Sequence, residues 1–422
     1  MVDPKADAAR LRGSMSDALS SLILKVKPIM DDVAHRGDSA IAVYTEKFEG
    51  VRLDSFKVTD YEIEQAYRAV TKSQIQAISL IKQRLAATEL ALLRQLKRIP
   101  PVRADGIFIW RTAQPVSSAG CYIPGGKARY PSTAIMCAIP AKIAGVKRIV
   151  ATSPPRQDGT IDPLTLVAAD ICGVDEFYKI GGAQAIAALM FGTATIAPVS
   201  KIVGPGGMFV TAAKILASSR VSTDMVAGPT ELVIYADANA NPTLVALDLI
   251  SQAEHSNDTV CGLVTTSEKL AVQVSNEIDS ITKSVSRTDI VRASLRENGF
   301  IAICDNEKSS LEFVNEFAPE HLQVVSKRAR AIAKKVTSAG LVLLGEFSAS
   351  SASDYCLGSN HVLPTLGFGK SRASLSVLDF LKVVTVAKAS RQGLRKVEPA
   401  IKEIAYAEGL LNHYEAIRKR FS

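Results

Sequence analysis

From Gly106 to Leu344 the sequence alternates short apolar, β-rich runs with helical stretches, and that alternation narrows the choice of fold more than any other feature. An extended run over 106–123 passes through a Gly/Pro-rich loop, CYIPGGKARYPS, into a helix that opens near Thr133 and ends about Ala144. Strands are expected at 148–152, 176–180 and 201–203, with helices at 163–172, after Gly181-Gly182, and at 209–218. A second round follows: strand 232–235, a helix from Pro242, strand 260–265, helices 268–281 and 287–297, strand 300–303 and helix 309–317. After FAPEHLQVV the pattern predicts a helix to about 338 and a buried strand at 340–344. Parallel strands need a crossover to bring the chain back, and each helical stretch supplies one. The fold class implied is α/β with parallel sheets covered by helices on both faces. Ligands of such sheets are expected at the carboxyl ends of the strands.

Residues 5–98 read as mainly helical, with helices at 38–48, from Thr59 and at 73–97, ended by Pro100 and Pro101. A chain of 422 residues exceeds one ordinary core, which predicts two or more domains. Hydrophobic residues make up 47% and charged residues 22%, the balance of a globular protein rather than a disordered or fibrous one. No apolar run reaches about 18 residues and the amino terminus has no apolar core of a signal peptide, so no membrane role and a cytoplasmic location are expected.

Six cysteines, none in a C-x-x-C pair, fit a reduced compartment and mostly buried thiols. Cys356, between Asp354 and His361, reads as packing before it reads as a nucleophile. Any metal would therefore take nitrogen and oxygen ligands. The net charge of +8 permits nucleic-acid binding, but the cations are interspersed with acids along helical faces. Arg418-Lys419-Arg420 is the one dense run, and a solvated surface without nucleic acid is expected.

The stretch from Val226 to His255 concentrates the polar residues that need an explanation. Gly228 and Pro229 mark a turn, an apolar strand follows, and Pro242 opens a helix whose last turn would carry Gln252 and His255 at i and i+3, on one face. Such a pair suits either a histidine satisfied by the helix carboxyl end or a metal-ligand pair. The other late histidines lie near carboxylates in sequence: Glu320-His321, His361 seven residues after Asp354, and His413 five after Glu408. Neither Gly181-Gly182 nor the Gly204–Gly207 turn completes G-x-G-x-x-G. Both open helices, which suits either turn chemistry or phosphate binding at a helix amino end.

Taken in order, SSAGCYIPGG, GGAQAIAAL, KIVGPGGMFVTAAK, DMVAGPTELVIYAD with LISQAEH, FAPEHL, SDYCLGSNHVLPT and AEGLLNH resemble the histidinol dehydrogenase family over nearly the whole chain. That resemblance implies two incomplete Rossmann-like parallel-sheet domains facing each other, with helical extensions at both ends. The implied division is a helical arm at 1–22, a first domain of 23–121 plus 233–375, a second of 122–232, and a helical segment at 376–422 that reaches the partner subunit's site in a homodimer. The implied activity is oxidation of L-histidinol to L-histidine through the aldehyde, with zinc and two NAD, in histidine biosynthesis.

Carried over by motif, Gln252, His255, Asp354 and His413 match the zinc ligands, and Glu320 and His321 the acid/base pair. His321 is assigned to the alcohol step, because imidazole titrates near neutrality, and Glu320 to activation of water for attack on the aldehyde. Substrate contacts are implied for Thr230, Gln252, His255, His321, Asp354, His361, Glu408 and His413. Glu408 and His413, five apart on one terminal helix, would lie about 140° apart around its axis and need not share a target. Tyr122 and Gln184 match NAD contacts. Gly207 stands where the family commonly has Asn, which predicts a weaker grip on NAD. The alternatives are a relative that oxidises another small primary alcohol, or a zinc hydrolase or inactive binding protein on the same scaffold.

Overall fold

The structure, a computed structural model, describes residues 3–12, 15–125, 129–225 and 227–421. Part of the Gly/Pro-rich loop (Gly126, Lys127, Ala128) and Val226 lie outside the described residues. Two five-stranded parallel sheets carry the fold. In spatial order the first runs Glu176–Lys179, Arg148–Ser153, Ser118–Tyr122, Lys201–Val203, Ser222–Thr223. The second runs Phe300–Ile303, Val260–Thr265, Glu231–Ala236, His321–Val325, Leu341–Leu344. Numbered along its own sequence, each sheet has the order 3-2-1-4-5, a Rossmann order lacking its sixth strand. The expected fold class is borne out. Every residue of Ser118–Tyr122, Glu231–Ala236 and His321–Val325 is buried, as parallel strands covered on both faces require.

Two strands depart from the expected reading. HLQVV, unassigned in sequence, is the fourth strand of the second sheet and pairs in parallel with both Glu231–Ala236 and Leu341–Leu344. The helix expected after it shrinks to Ala329–Ala333. The carboxyl-terminal segment is not wholly helical either. Leu381–Ala389 pairs antiparallel with Ile107–Pro115, which pairs in turn with Val102–Ala104 in a small third sheet.

The packing also corrects the expected domain division. Helices Met15–Arg36 and Asp38–Glu49 lie on Gly182–Phe191, the former also on Met208–Ala217, while Asp60–Ala69 and Lys72–Leu96 lie on Pro163–Ile171, the latter also on Pro131–Ala144. Residues 15–96 thus cover the first sheet instead of joining the second. Their apolar stripes find a face there, with Ile78, Ile81, Leu85 and Leu93 sharing one core with Ile135 and Val167. Pro4–Arg12 alone packs on Glu307–Phe317 beside the second sheet.

One buried carboxylate in this layer makes stability depend on pH. Glu89 faces the core at 4% exposure, and its Oε2 accepts the Val377 N–H at 2.6 Å. Burial pushes its carboxyl up to about 7, and Asp379 adds to the rise against the hydrogen bond from Val377. The folded state therefore binds this proton more tightly than the unfolded chain does. The resulting stabilisation is complete below the ordinary value near 4.5 and is lost as pH rises through about 7. Glu89→Gln keeps the acceptor without the charge. Thermal melts should show the variant gaining up to about 3 kcal/mol, on the order of 5 °C, at pH 8 and nothing at pH 5. Equal melting of both proteins at pH 8 would refute this.

Candidate active site

The polar residues singled out from the sequence gather at the amino ends of the two central strands of the second sheet, the edge opposite to the one expected. Thr230 and Glu231 begin strand Glu231–Ala236, and Glu320 and His321 begin the neighbouring strand His321–Val325, in register. A helix that follows a parallel strand runs back towards the strand starts. Helix Pro242–Ala253 therefore delivers its carboxyl end, with Gln252, to this edge. The helix begins where expected, with Asn241 capping the Thr243 and Leu244 N–H groups, and stops earlier: Glu254 caps it and His255 lies one residue beyond.

A chain of hydrogen bonds ties these groups together. Ser350 Oγ donates to Gln252 Oε1 at 3.1 Å, Gln252 Nε2 to Thr230 Oγ1 at 3.0 Å, and Thr230 Oγ1 to Glu320 Oε2 at 2.6 Å. The same Glu320 oxygen accepts the Glu231 N–H at 2.7 Å. Glu320, His321 and Gln252 are 6%, 2% and 2% exposed, so this is a nearly dry network.

Three imidazoles share one arrangement. His321 Nδ1 lies 3.1 Å from the Glu231 carbonyl, His361 Nδ1 2.8 Å from that of Asp354, and His255 Nδ1 3.2 Å from that of Gln252. A carbonyl only accepts, so each Nδ1 carries the hydrogen and each neutral ring keeps its lone pair on Nε2. For His321 that nitrogen is buried, has no hydrogen-bond partner among the described residues, and stands 3.7 Å from Asp354 Oδ1.

Burial alone would lower the His321 imidazole, but the carboxylates of Glu320 and Asp354 outweigh it and hold the ring up to about 10. Burial likewise pushes Asp354 up, and His321, His361 and His255 together bring it below its usual range. At His361 burial wins, and the ring sits below its ordinary value. The expectation that His321 titrates near neutrality is therefore altered by its two carboxylate neighbours.

Of the expected ligand set, Gln252, His255 and Asp354 converge: Ser350 joins Gln252 to the short helix that Asp354 caps, and Asp354 lies within electrostatic reach of His255. Among the described residues no group of three or more His, Cys, Asp or Glu is placed to hold a metal within one chain. His413 lies elsewhere. Helix Arg391–Ala407 ends at Glu408, Gly409 turns the chain at φ +73°, and Leu411–Arg418 begins a second helix. Glu408 and His413 are thus on two helices rather than one, and both line a hollow of about 360 Å³ with Ile401, Ile404 and Leu410.

The expected cofactor residues occupy the carboxyl edge of the first sheet. Tyr122 is 5% exposed and its hydroxyl accepts the Gly182 N–H at 3.2 Å, so the first amide of that helix is already taken. Gln184 is fully buried, with neither amide atom partnered among the described residues. A Cβ on Gly204, at φ +114°, would stand 2.1 Å from the Tyr122 carbonyl oxygen, so only glycine fits there. Asp224 Oδ2 accepts the Gly204 N–H at 2.8 Å, and Lys214, in a buried ion pair with Asp224, donates to the Gly204 carbonyl at 2.9 Å. Gly207 caps helix Met208–Ala217, and nothing lies within 4 Å of the Cβ it lacks. The two edges meet through helix Pro131–Ala144: Asn360 Nδ2 donates to the Met136 carbonyl at 2.8 Å, and His361 Nε2 faces Thr133 Oγ1 at 3.5 Å.

A family model described as histidinol dehydrogenase matches residues 14–421. The chain belongs to the histidinol dehydrogenase family. It is 43% identical to the histidinol dehydrogenase of Methanocaldococcus jannaschii, over 94% of this chain and 91% of that one. It is also 43% identical to that of Archaeoglobus fulgidus, over 97% and 98%. The crystal structure of histidinol dehydrogenase from Elizabethkingia anophelis superposes with a TM-score of 0.90 at 35% identity, covering 96% of each chain. Membership makes this chain an oxidoreductase of histidine biosynthesis that acts on an alcohol and an aldehyde. Among the described residues no helix is long and apolar enough to cross a membrane.

For a histidinol dehydrogenase, two features of the site escaped the sequence reading. Glu231 stands one residue before the expected 232–235 strand, with no role assigned to it from sequence, yet its carboxylate, N–H and carbonyl bond to the Glu320-His321 pair and the facing loop. Lys214 and Asp224 hold both backbone groups of Gly204. A charged residue at the start of an apolar run was the signal at Glu231, and one inside such a run at Lys214, because an unpaired charge is not buried without compensation. Five cysteines are buried as expected, but Cys356 is exposed and fills no core.

Proposed function

We propose that this chain oxidises L-histidinol to L-histidine in two NAD-dependent steps, as a cytoplasmic, zinc-loaded homodimer whose sites are shared between subunits. The observation that carries the reading is the buried Nε2 of His321, without a hydrogen-bond partner among the described residues, beside Glu320 and Asp354. In the first step the alcohol loses a hydride from carbon to NAD⁺ and a proton from oxygen to His321 Nε2, leaving the aldehyde. In the second, Glu320 takes a proton from water as its oxygen adds to the aldehyde carbon. The resulting hydrate anion gives a hydride to a second NAD⁺ and its remaining hydroxyl proton to the base, leaving the carboxylate. Oε2 of Glu320 is held by Thr230 and Glu231, which leaves Oε1 to meet the water.

Gln252, His255 and Asp354 suit a zinc ion: all offer nitrogen or oxygen, His255 keeps Nε2 free by donating from Nδ1, and Asp354 carries charge. Bound zinc would supply a template for the imidazole and amine of the substrate. Asp354, if engaged with a cation, would no longer offer His321 its full charge, and the ring would fall back towards a base. The fourth ligand, His413, and the substrate contact Glu408 come from the second subunit in this reading, because their own chain places them on the carboxyl-terminal hairpin. NAD is assigned to the carboxyl edge of the first sheet, where the orphaned Gln184 amide and the open face at Gly207 await polar partners.

With limiting L-histidinol and excess NAD⁺, two NADH per histidine formed are expected. Absence of NADH from a folded, zinc-loaded protein would transfer the assignment to another small alcohol. Because an Asn side chain at position 207 meets open space and the backbone there is extended at φ −63°, ψ 172°, Gly207→Asn should tighten NAD by about 5-fold, the worth of one hydrogen bond. Equilibrium titration showing unchanged or weaker binding would refute that.

A further inference from the structure

The geometry points to Glu231 as the positioning residue that sets the Glu320-His321 pair, a role that rests on reading that pair as the acid and base. Four polar groups of this one residue are committed. Its carboxylate Oε2 accepts the Glu320 N–H at 3.1 Å, and Oε1 accepts the Leu366 N–H at 2.9 Å. Its own N–H donates to Glu320 Oε2 at 2.7 Å, and its carbonyl accepts from His321 Nδ1 at 3.1 Å. Glu231 and Glu320 thereby form a reciprocal pair, each carboxylate taking the other's backbone N–H. The side chain is completely buried.

The reach of this residue extends to the loop that carries His361. Leu366 has φ +57°, a left-handed conformation unusual for leucine, and its N–H is held by Glu231. The Leu366 side chain lies over Gly228, where a Cβ would come within 2.9 Å, and the Gly228 N–H donates to Thr365 Oγ1. One carboxylate thus locks three segments: the 228–231 turn, the 319–321 strand entry and the 361–366 loop that carries His361. A buried carboxylate satisfied by backbone amides is rigid, because any movement forfeits a charge-assisted bond in a dry site.

Each carboxylate oxygen of Glu231 holds one of these N–H donors, Oε2 that of Glu320 and Oε1 that of Leu366. Glu231→Gln can accept from only one and turns its own NH2 against the other; Glu231→Ala accepts from neither. The backbone carbonyl that orients His321 survives in both variants. The side-chain change therefore acts on Glu320 and the aldehyde step more than on His321 and the alcohol step. A purely structural residue would depress both steps together.

The experiment compares zinc-loaded full-length wild type, Glu231→Gln and Glu231→Ala in two assays: the first hydride transfer from L-histidinol in a rapid-mixing burst, and turnover of L-histidinaldehyde with NAD⁺. Expected are losses in kcat for the aldehyde of about 30-fold for Gln and 100-fold or more for Ala, the scale of a misplaced catalytic group. The alcohol burst should change less than about threefold, with zinc content and circular dichroism retained. An unchanged aldehyde kcat, equal losses in the two steps, or a loss that follows zinc content would overturn the assignment, and the Gln variant decides if Ala does not fold. Failure of the underlying reading looks different: wild type would give no NADH from histidinol, or Glu320→Gln would retain aldehyde oxidation.

Discussion

Glu320→Gln should lose about 10³-fold in kcat for conversion of L-histidinaldehyde to L-histidine while keeping its fold and its zinc. The structure makes this substitution a clean removal of one proton-accepting oxygen. The two groups that grip Glu320 Oε2, the Thr230 hydroxyl and the Glu231 N–H, are donors, and the Gln oxygen accepts both in place. What disappears is the second oxygen as a proton acceptor, since an amide nitrogen has no basic lone pair. The loss should fall on the step that consumes water, with the alcohol step changed far less. A variant that oxidises the aldehyde within tenfold of wild type would remove Glu320 from the role of base.

His413→Ala should lose most of its zinc and activity, and mixing it with Glu320→Gln under conditions that exchange subunits should restore activity. His413 and His255 are both exposed in a single chain, and His413, on the carboxyl-terminal hairpin, lines a hollow with Glu408 away from Gln252 and Asp354. Tyr406, Leu410 and Leu411 are also exposed on this hairpin, each more than 40%, which is the character of a surface that meets another subunit. In a symmetric dimer each site would join one subunit's Glu320 to the other's His413. A mixed dimer of the two variants then carries one intact site and one with both lesions, and random exchange recovers about a quarter of wild-type activity. Mixed samples no more active than the separate variants would show that each chain completes its own site.

Local pattern carried much of this molecule. Strands such as Val260–Thr265 and helices such as Glu268–Ile281 fall where apolar period and caps place them, because those signals lie within a few residues of the element. HLQVV escaped because five residues between a loop proline and a short helix have no internal period, and pairing on both sides makes them a central strand. Leu381–Ala389 escaped for the same reason: its partner, Ile107–Pro115, is more than 250 residues away in sequence. The packing of residues 15–96 on the first sheet was equally out of reach, since an amphipathic stripe does not name the face that covers it.

Glu320, His321, Gln252, His255 and Asp354 were legible as a group through ordered motifs and their resemblance to a family. The sequence by itself determined the α/β class, the family and the identity of these chemical groups, because residue type and short-range order are enough for each. Tertiary structure decided the rest. It put the pair on the amino edge of the second sheet instead of a carboxyl edge, gave three histidines a common tautomer through backbone carbonyls, and enlisted Glu231 as the clamp. It also broke the terminal helix at Gly409, so that Glu408 and His413 share one hollow. Each of these depends on a carbonyl, a carboxylate or a turn meeting a group far away in the chain, and those meetings exist only once the sheets have formed.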